Sequence, residues 1–441
     1  MHDSFGLRDL SGLPWWILTF WGLGILAVST AFVSLFFALG RRPGRAWASE
    51  IPPVASRDFL VGISGLVNSP LEAGGTVKLL DNGDEMFPAI LEAMRKARKT
   101  INFSVYIWEP GKVSDMVFEV ITERARAGVE VRVLLDGLGC MRTPSEGLEA
   151  FQAAGGRVER FRPVRLGGLT RFPRRNHRRA IVIDGLIAFT GGAAVGDKWL
   201  GNAASKDEWR DSMVQVTGPL ARSVQSAFTT LWGSSAGEML IGDGHYPARE
   251  ASPPGAQEVS YHTSVTSAPS HEDHPLRLFF MLSFLSARRT LYITTPYFVP
   301  DAQTRAAAAG RARQGVDVRI LLPNELTDAV PIRLAGHSYF DELLSAGVRI
   351  YEYQPAMMHN KTVVVDGQWS VVGSANMDIR SKELNQENVL GILDEGFGRQ
   401  LEAAFLADLE KAKEIKLPEW RRRGVWPRIK ERASALFAEQ Y

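Results

Sequence analysis

Cysteine is almost absent. A single Cys140 stands in 441 residues. One thiol excludes an internal disulfide framework and a thiolate zinc cluster, and it fits a protein that faces the cytosol. An excess of either charge is also absent, since 51 Lys+Arg against 49 Asp+Glu leave a formal net charge of +2. Composition therefore gives no reason to expect a nucleic-acid partner. Charge is missing altogether between Leu10 and Gly40. Within that stretch, Trp15 to Leu39 is long enough to span roughly 30 Å of hydrocarbon with room for tilt. Trp15, Trp16 and Trp21 suit an interfacial belt at its start. A cleaved signal peptide would carry its basic residues first, whereas Arg41, Arg42 and Arg45 follow this run. The expectation is an N-terminal transmembrane helix with a basic flank over residues 1–45, a buried core helix being the alternative. The positive-inside rule then puts the bulk of the chain on the cytoplasmic side of the cell (inner) membrane.

What remains is ordinary globular material, 45% hydrophobic and 23% charged over the whole chain. Residues 46–75 read as a tether marked by Pro52-Pro53. Phe59, Leu60, Ile63, Leu66 and Val67 recur in it at helical spacing. That face is read as packing on the following domain, with the bilayer surface as the alternative. From Val77 onward, strand and helix patterns alternate, which means an α/β fold with helices packed on a sheet. The pattern then repeats. Ala127-Gly128-Val129-Glu130-Val131-Arg132-Val133-Leu134 resembles Gln314-Gly315-Val316-Asp317-Val318-Arg319-Ile320-Leu321, and Ala154-Gly155-Gly156-Arg157-Val158 resembles Ala346-Gly347-Val348-Arg349-Ile350. The matches keep their order at offsets of about 190 residues, so the chain holds a duplicated domain. The expected domains are 76–245 and 276–416, joined by an irregular connector over 246–275 and followed by a basic amphipathic tail over 417–441. The tail reads equally as a surface element on a membrane or as a helix closing the second domain.

The duplication brings two short motifs into register. His359-Asn360-Lys361 is followed by an apolar run, Asp366-Gly367, Gly373-Ser374 and Asn376. Its counterpart is His177-Arg178-Arg179, an apolar run, Asp184-Gly185 and Gly191-Gly192. A histidine and a cation two apart on extended chain share a face. Two such histidines in one cleft could divide a phosphoryl transfer between them. One would attack phosphorus to form a phosphohistidine, while the other protonates the leaving alkoxide and later deprotonates the incoming nucleophile. Arg179 and Lys361 would neutralise the non-bridging oxygens, and Ser374 and Asn376 could add hydrogen bonds. The scheme needs no metal or cofactor, because the cations are built in. Each histidine needs an acceptor on its other ring nitrogen. Glu387, downstream of His359, is the expected partner there, and Asp211 is its counterpart in the first half. Asp184 and Asp366, at strand ends, read as anchors of a strand-to-turn junction.

These paired motifs resemble the phospholipase D superfamily, and more closely its bacterial cardiolipin synthases. The resemblance runs from about Val77 to the end of the chain. It includes Thr295-Pro296-Tyr297-Phe298-Val299-Pro300-Asp301, Gly373-Ser374-Ala375-Asn376-Met377-Asp378 and Trp209-Arg210-Asp211. It implies two α/β/α sandwich domains sharing one cleft. It also implies transfer of a phosphatidyl group between phospholipids, with phosphatidylglycerol as donor and acceptor, or phosphatidylethanolamine as donor. By the resemblance His177 is the usual nucleophile. Two departures stand out: Arg179 where the family usually has Lys, and Ala194 where it often has Asn. A hydrolase using water, a nucleic-acid phosphodiesterase and a non-catalytic lipid-binding protein are the rival readings. The near-neutral charge and the expected anchor speak against the nucleic-acid one.

Arg157, Arg160, Arg162, Arg165, Arg171, Arg174 and Arg175 lead into His177, as headgroup contacts or as a solvated loop. His271-Glu272-Asp273-His274 has ligand-type residues without a partner cluster. His337 and Cys140 read as structural.

Overall fold

The computed structural model describes residues 14, 16, 17, 19–22, 24, 25, 28, 29, 51–163, 174–248, 258–267 and 274–436. The chain divides into two compact units, Met1–Arg45 and Ala46–Tyr441. In the first, the residues described after Pro14 are helical. The expected membrane span over Trp15 to Leu39 falls largely outside the described residues. Among those described, no helix is long and apolar enough to cross a membrane, so the single-pass anchor is not an observed element. Residues 271–273 of the His-Glu-Asp-His cluster, and Arg165 and Arg171, also lie outside.

The second unit is built on two large sheets with one plan. The seven-stranded sheet runs, in spatial order, Val77–Asp81, Ser212–Thr217, Ile187–Gly191, Ala180–Ile183, Thr100–Val105, Glu130–Asp136 and Arg157–Phe161. The eight-stranded sheet runs Tyr261–Ser267, Glu387–Leu393, Trp369–Gly373, Thr362–Val365, Thr290–Thr294, Asp317–Pro323, Arg349–Tyr353 and Ala412–Ile415. Strand for strand, the parallel and antiparallel pairings agree, with Thr100–Val105 beside Glu130–Asp136 matching Thr290–Thr294 beside Asp317–Pro323. The duplication read from the sequence is therefore a duplication of topology. The eighth strand is an addition to the second half.

The central strands are buried on both faces, which is why Ala180–Ile183 and Thr362–Val365 are unbroken apolar or β-branched runs. One core cluster draws on both sheets: Leu79, Val182, Val214 and Val216 from the first pack with Val364, Val372, Leu390 and Ile392 from the second. The halves are thus fused through apolar side chains rather than hinged on a linker. The segment expected to be an irregular connector contains the edge strand Tyr261–Ser267, which pairs along its length with Glu387–Leu393. Alternating Tyr261, His262, Thr263, Ser264 and Val265 carries too little apolar signal to read as a strand alone; the neighbouring strand defines it. In the tether, Arg57–Val67 is a helix capped by Ser56, and Phe59, Leu60, Ile63 and Val67 are buried. Phe59 meets Trp369 edge to face at 5.1 Å, so this face packs on the second half. Leu66, counted with that face, is 44% exposed.

Asp184 and Asp366 sit in equivalent hairpin turns at φ 54° and 55°, each followed by a glycine at positive φ, the arrangement Asp-Gly turns favour. Asp184 accepts from the backbone N–H groups of Arg98, Lys99 and Thr100 at 2.9, 2.7 and 2.8 Å. Asp366 accepts in the same way from Arg288, Arg289 and Thr290 at 3.0, 2.7 and 2.9 Å. Each carboxylate ties its hairpin to the start of the neighbouring strand, satisfying donors that no ladder reaches.

Candidate active site

Both motif histidines lie where the halves meet, and a backbone bridge puts them there. The His177 N–H donates to the carbonyl of Gln386 at 2.9 Å, and the His359 N–H donates to the carbonyl of Arg210 at 2.8 Å. Met357–Met358 pairs in parallel with Trp209–Arg210, and Asn176 bridges in parallel to Gln386. Each histidine thus docks on the residue immediately before the other half's carboxylate. The rings follow the backbone. His177 Nδ1 lies 2.9 and 3.0 Å from the two Glu387 oxygens. His359 Nδ1 lies 2.7 Å from Asp211 Oδ2. This corrects the expected pairing: Glu387 serves His177 and not His359, and Asp211 serves His359 and not His177. A chain running across the cleft contacts the opposite sheet before its own.

The cations fold back on the histidine backbones in matching fashion. Arg179 Nη1 donates to the His177 carbonyl at 2.6 Å, and Lys361 Nζ to the His359 carbonyl at 2.8 Å. Lys361 Nζ is also 3.2 Å from each ring nitrogen of His359. Arg179 is fully buried, and among the described residues its Nε and Nη2 have no hydrogen-bond partner. The side-chain oxygen of Asn376 is buried and likewise has no partner among the described residues. Buried donors are seldom left unsatisfied, and a free guanidinium edge matches the oxygens of a phosphodiester.

A difference between the two motifs, Gly192 where the second has Ser374, has a local cause. Ser374 Oγ donates to Glu387 Oε2 at 2.5 Å. Gly192 stands at the equivalent place, and a Cβ there would come within 2.2 Å of Asp211 Oδ1. The first half instead holds its carboxylate with the Trp199 indole, whose Nε1 donates to Asp211 Oδ2 at 3.0 Å. A shorter carboxylate with an indole replaces a longer one with a hydroxyl. Trp199 and Tyr106 were not singled out from the sequence. Tyr106 packs on the His177 ring at 4.9 Å, and Trp209 on the His359 ring at 4.9 Å. A tryptophan 12 residues before Asp211 has no spacing that would mark it.

The electrostatics differ between the two sides. Burial, with Arg179 and Lys361 nearby, holds His177 well below the ordinary imidazole range. Burial and Lys361 hold His359 down at about 4, although Asp211 works the other way. Burial would raise Asp211, but His359, Lys361 and Trp199 outweigh it and keep it an anion. Burial pushes Glu387 up to about 8 against the hydroxyl of Ser374 and the charge of Arg179. Lys361 falls to about 7, because burial and Arg179 outweigh the pull of Asp211. Above pH 7 the empty site loses the lysine charge, and an entering phosphate must bring a proton with it. Inhibition by glycerol phosphate should weaken about twentyfold between pH 7.5 and 8.5, most of it from Lys361 and the rest from the ionisation of Glu387. Lys361→Arg, which stays charged, should remove this limb and leave only that of Glu387. An unchanged profile in that variant would contradict the assignment.

The chain matches the family model described as cardiolipin synthase, PLD-like domain, over residues 90–232 and 282–409. It is 33% identical to a probable cardiolipin synthase of Bacillus subtilis over 82% of this chain and 71% of that protein. It is 35% identical to cardiolipin synthase A of Pseudomonas fluorescens over 87% of this chain and 77% of that one. Among solved structures, phosphatidylserine synthase of Haemophilus influenzae shares the fold with a TM-score of 0.66 at 16% identity, covering 87% of this chain and 99% of that one.

Proposed function

The chain belongs to the cardiolipin synthase family of PLD-like proteins and is a phosphatidyltransferase, and from that premise we propose that it joins two phosphatidylglycerols into cardiolipin through a phosphohistidine at a membrane. The crossed pairing of two histidines with two carboxylates carries this reading. His177 is the nucleophile. Its ring is held neutral by burial and cations, which is the form that attacks. The entering phosphodiester, an anion, offsets the cations that keep His359 neutral in the empty site, and His359 takes up a proton as it binds. The Nε2 lone pair of His177 then forms a bond to phosphorus as the bond to the glycerol oxygen breaks, and the departing alkoxide takes that proton from His359. His359 is the proton carrier because the ionised Asp211 supports its imidazolium. The second phosphatidylglycerol then gives a hydroxyl proton to His359, and its oxygen displaces His177 from phosphorus. Arg179 and Lys361 meet the charge on the non-bridging oxygens in both steps. Phosphatidylethanolamine as donor uses the same steps.

A lipid acceptor distinguishes this reading from a hydrolase, and the test is the product. Purified protein supplied with labelled phosphatidylglycerol should yield cardiolipin and one equivalent of glycerol. Phosphatidic acid alone would make water the acceptor. Binding without turnover would leave a lipid-binding protein.

A further inference from the structure

The last helix, Val425–Ala435, is held by one edge. Glu431 faces inward, 4% exposed, and pairs with Arg423 at the end of the preceding helix. The opposite side is apolar and open. Val425 is 69% exposed, Trp426 74%, Ile429 48% and Leu436 67%, and with Ala433 they fall at one stripe of helical spacing. Arg428 and Arg432 flank this stripe on one side and Lys430 on the other, all exposed. A large apolar ridge between cations differs from the usual helix of a soluble domain, which buries its apolar side. The neighbouring helix Leu417–Arg422 shows the contrast. Its Trp420 is buried against Phe340 at 4.9 Å and closes the second half.

Behind the cationic flank lies a cavity of about 440 Å³ lined by His337, Asp341, Arg421, Arg428, Glu431 and Arg432, among others. Arg421 is paired with Asp341. Among the described residues, Arg428 donates only to the backbone carbonyl of Arg421. Neither Arg428 nor Arg432 has an ion pair with a described carboxylate. The two guanidiniums therefore border both the apolar ridge and a recess large enough for a headgroup. Neither His177 nor His359 lines this recess.

We propose that the helix Val425–Ala435 lies in the surface of a bilayer containing anionic phospholipid, its ridge among the acyl chains and Arg428 and Arg432 on headgroup phosphate at the cavity. Charge selects the occupant: cations flanking exposed tryptophan and aliphatic residues match an anionic interface rather than a protein core. The inference rests on the phospholipid reading above, and its test is read without turnover, so that the two fail separately. Cys140 is fully buried, so an Ile429→Cys thiol takes an environment-sensitive fluorophore alone. The full chain, carrying His359→Ala to keep the lipid unchanged, is placed in nanodiscs of phosphatidylcholine doped with phosphatidylglycerol. Emission should shift to the blue as phosphatidylglycerol is added. Arg428→Gln with Arg432→Gln should lower the buried-to-free ratio of the label about thirtyfold at fixed composition. No shift, or the same shift in neutral discs, would overturn the proposal. A shift that follows protein concentration instead of lipid would mean that a second copy covers the ridge, and would also overturn it.

Discussion

His177→Ala and His359→Ala will each lower phosphatidyl transfer by at least about a thousandfold, since in the proposed scheme one removes the nucleophile and the other the proton carrier. Loss in both variants is common to any two-histidine scheme. Their division of labour is tested by changing the leaving group. A phosphatidyl ester of nitrophenol needs no proton on departure. With that donor, His359→Ala should still form a covalent adduct on His177, at a rate within about tenfold of the parent, and then fail to pass it to a lipid hydroxyl. His177→Ala should form no adduct with either donor. Mass spectrometry of the trapped protein distinguishes the cases. An adduct on His359 would reverse the assignment, and full transfer in either variant would end the two-histidine scheme. Neither substitution should unfold the chain. Each ring sits at the interface of two sheets that share an apolar core, and His→Ala leaves the backbone bridges intact.

Much of this arrangement is legible in the chain because a duplication aligns it with itself. The repeat at Gly128 and Gly315 sets the register, and the register finds His177 once His359 has been noticed. Chemistry of the side chains then supplies the candidate phosphate ligands. The carboxylate pairing is not legible. Glu387 follows His359 by fewer residues than it follows His177, and nothing in composition says that contact skips the nearer histidine. The decision lies in two short parallel bridges, Asn176 to Gln386 and Met358 to Arg210, which no pattern of hydrophobicity marks. The exchange of Ser374 for Gly192 reads in sequence as a loss. In space it is a substitution, because Asp211 fills the room and Trp199 supplies the donor. The strand Tyr261–Ser267 was hidden for a third reason: an edge strand rich in Thr and Ser takes its conformation from its neighbour rather than from its own residues.

The crossed pairing makes a prediction that same-half pairing reverses. Glu387→Gln should behave like His177→Ala, and Asp211→Asn like His359→Ala. Above about pH 8, where Glu387 is ionised, an amide in its place keeps the size but can donate to Nδ1, which moves the ring proton to Nε2 and occupies the attacking lone pair. Adduct formation from the nitrophenyl donor should fall by about a hundredfold or more. Asp211→Asn should leave that step within about tenfold, while transfer from phosphatidylglycerol falls by about a hundredfold, because the lost carboxylate no longer supports an imidazolium at His359. Were Glu387 the partner of His359, the two patterns would exchange. Non-additivity gives a second reading. Asp211→Asn added to His359→Ala should change adduct formation little, since the carboxylate acts through the ring already removed, whereas Glu387→Gln added to His359→Ala should cost its full factor. Ser374 and Trp199 provide the control. Ser374→Ala removes the hydroxyl that opposes the rise of Glu387, so its defect should appear in the adduct step alone; Trp199→Phe removes the indole donor of Asp211, so its defect should appear only with the alcohol leaving group. A Trp199 defect in the adduct step would place Asp211 on the nucleophile's side of the cleft.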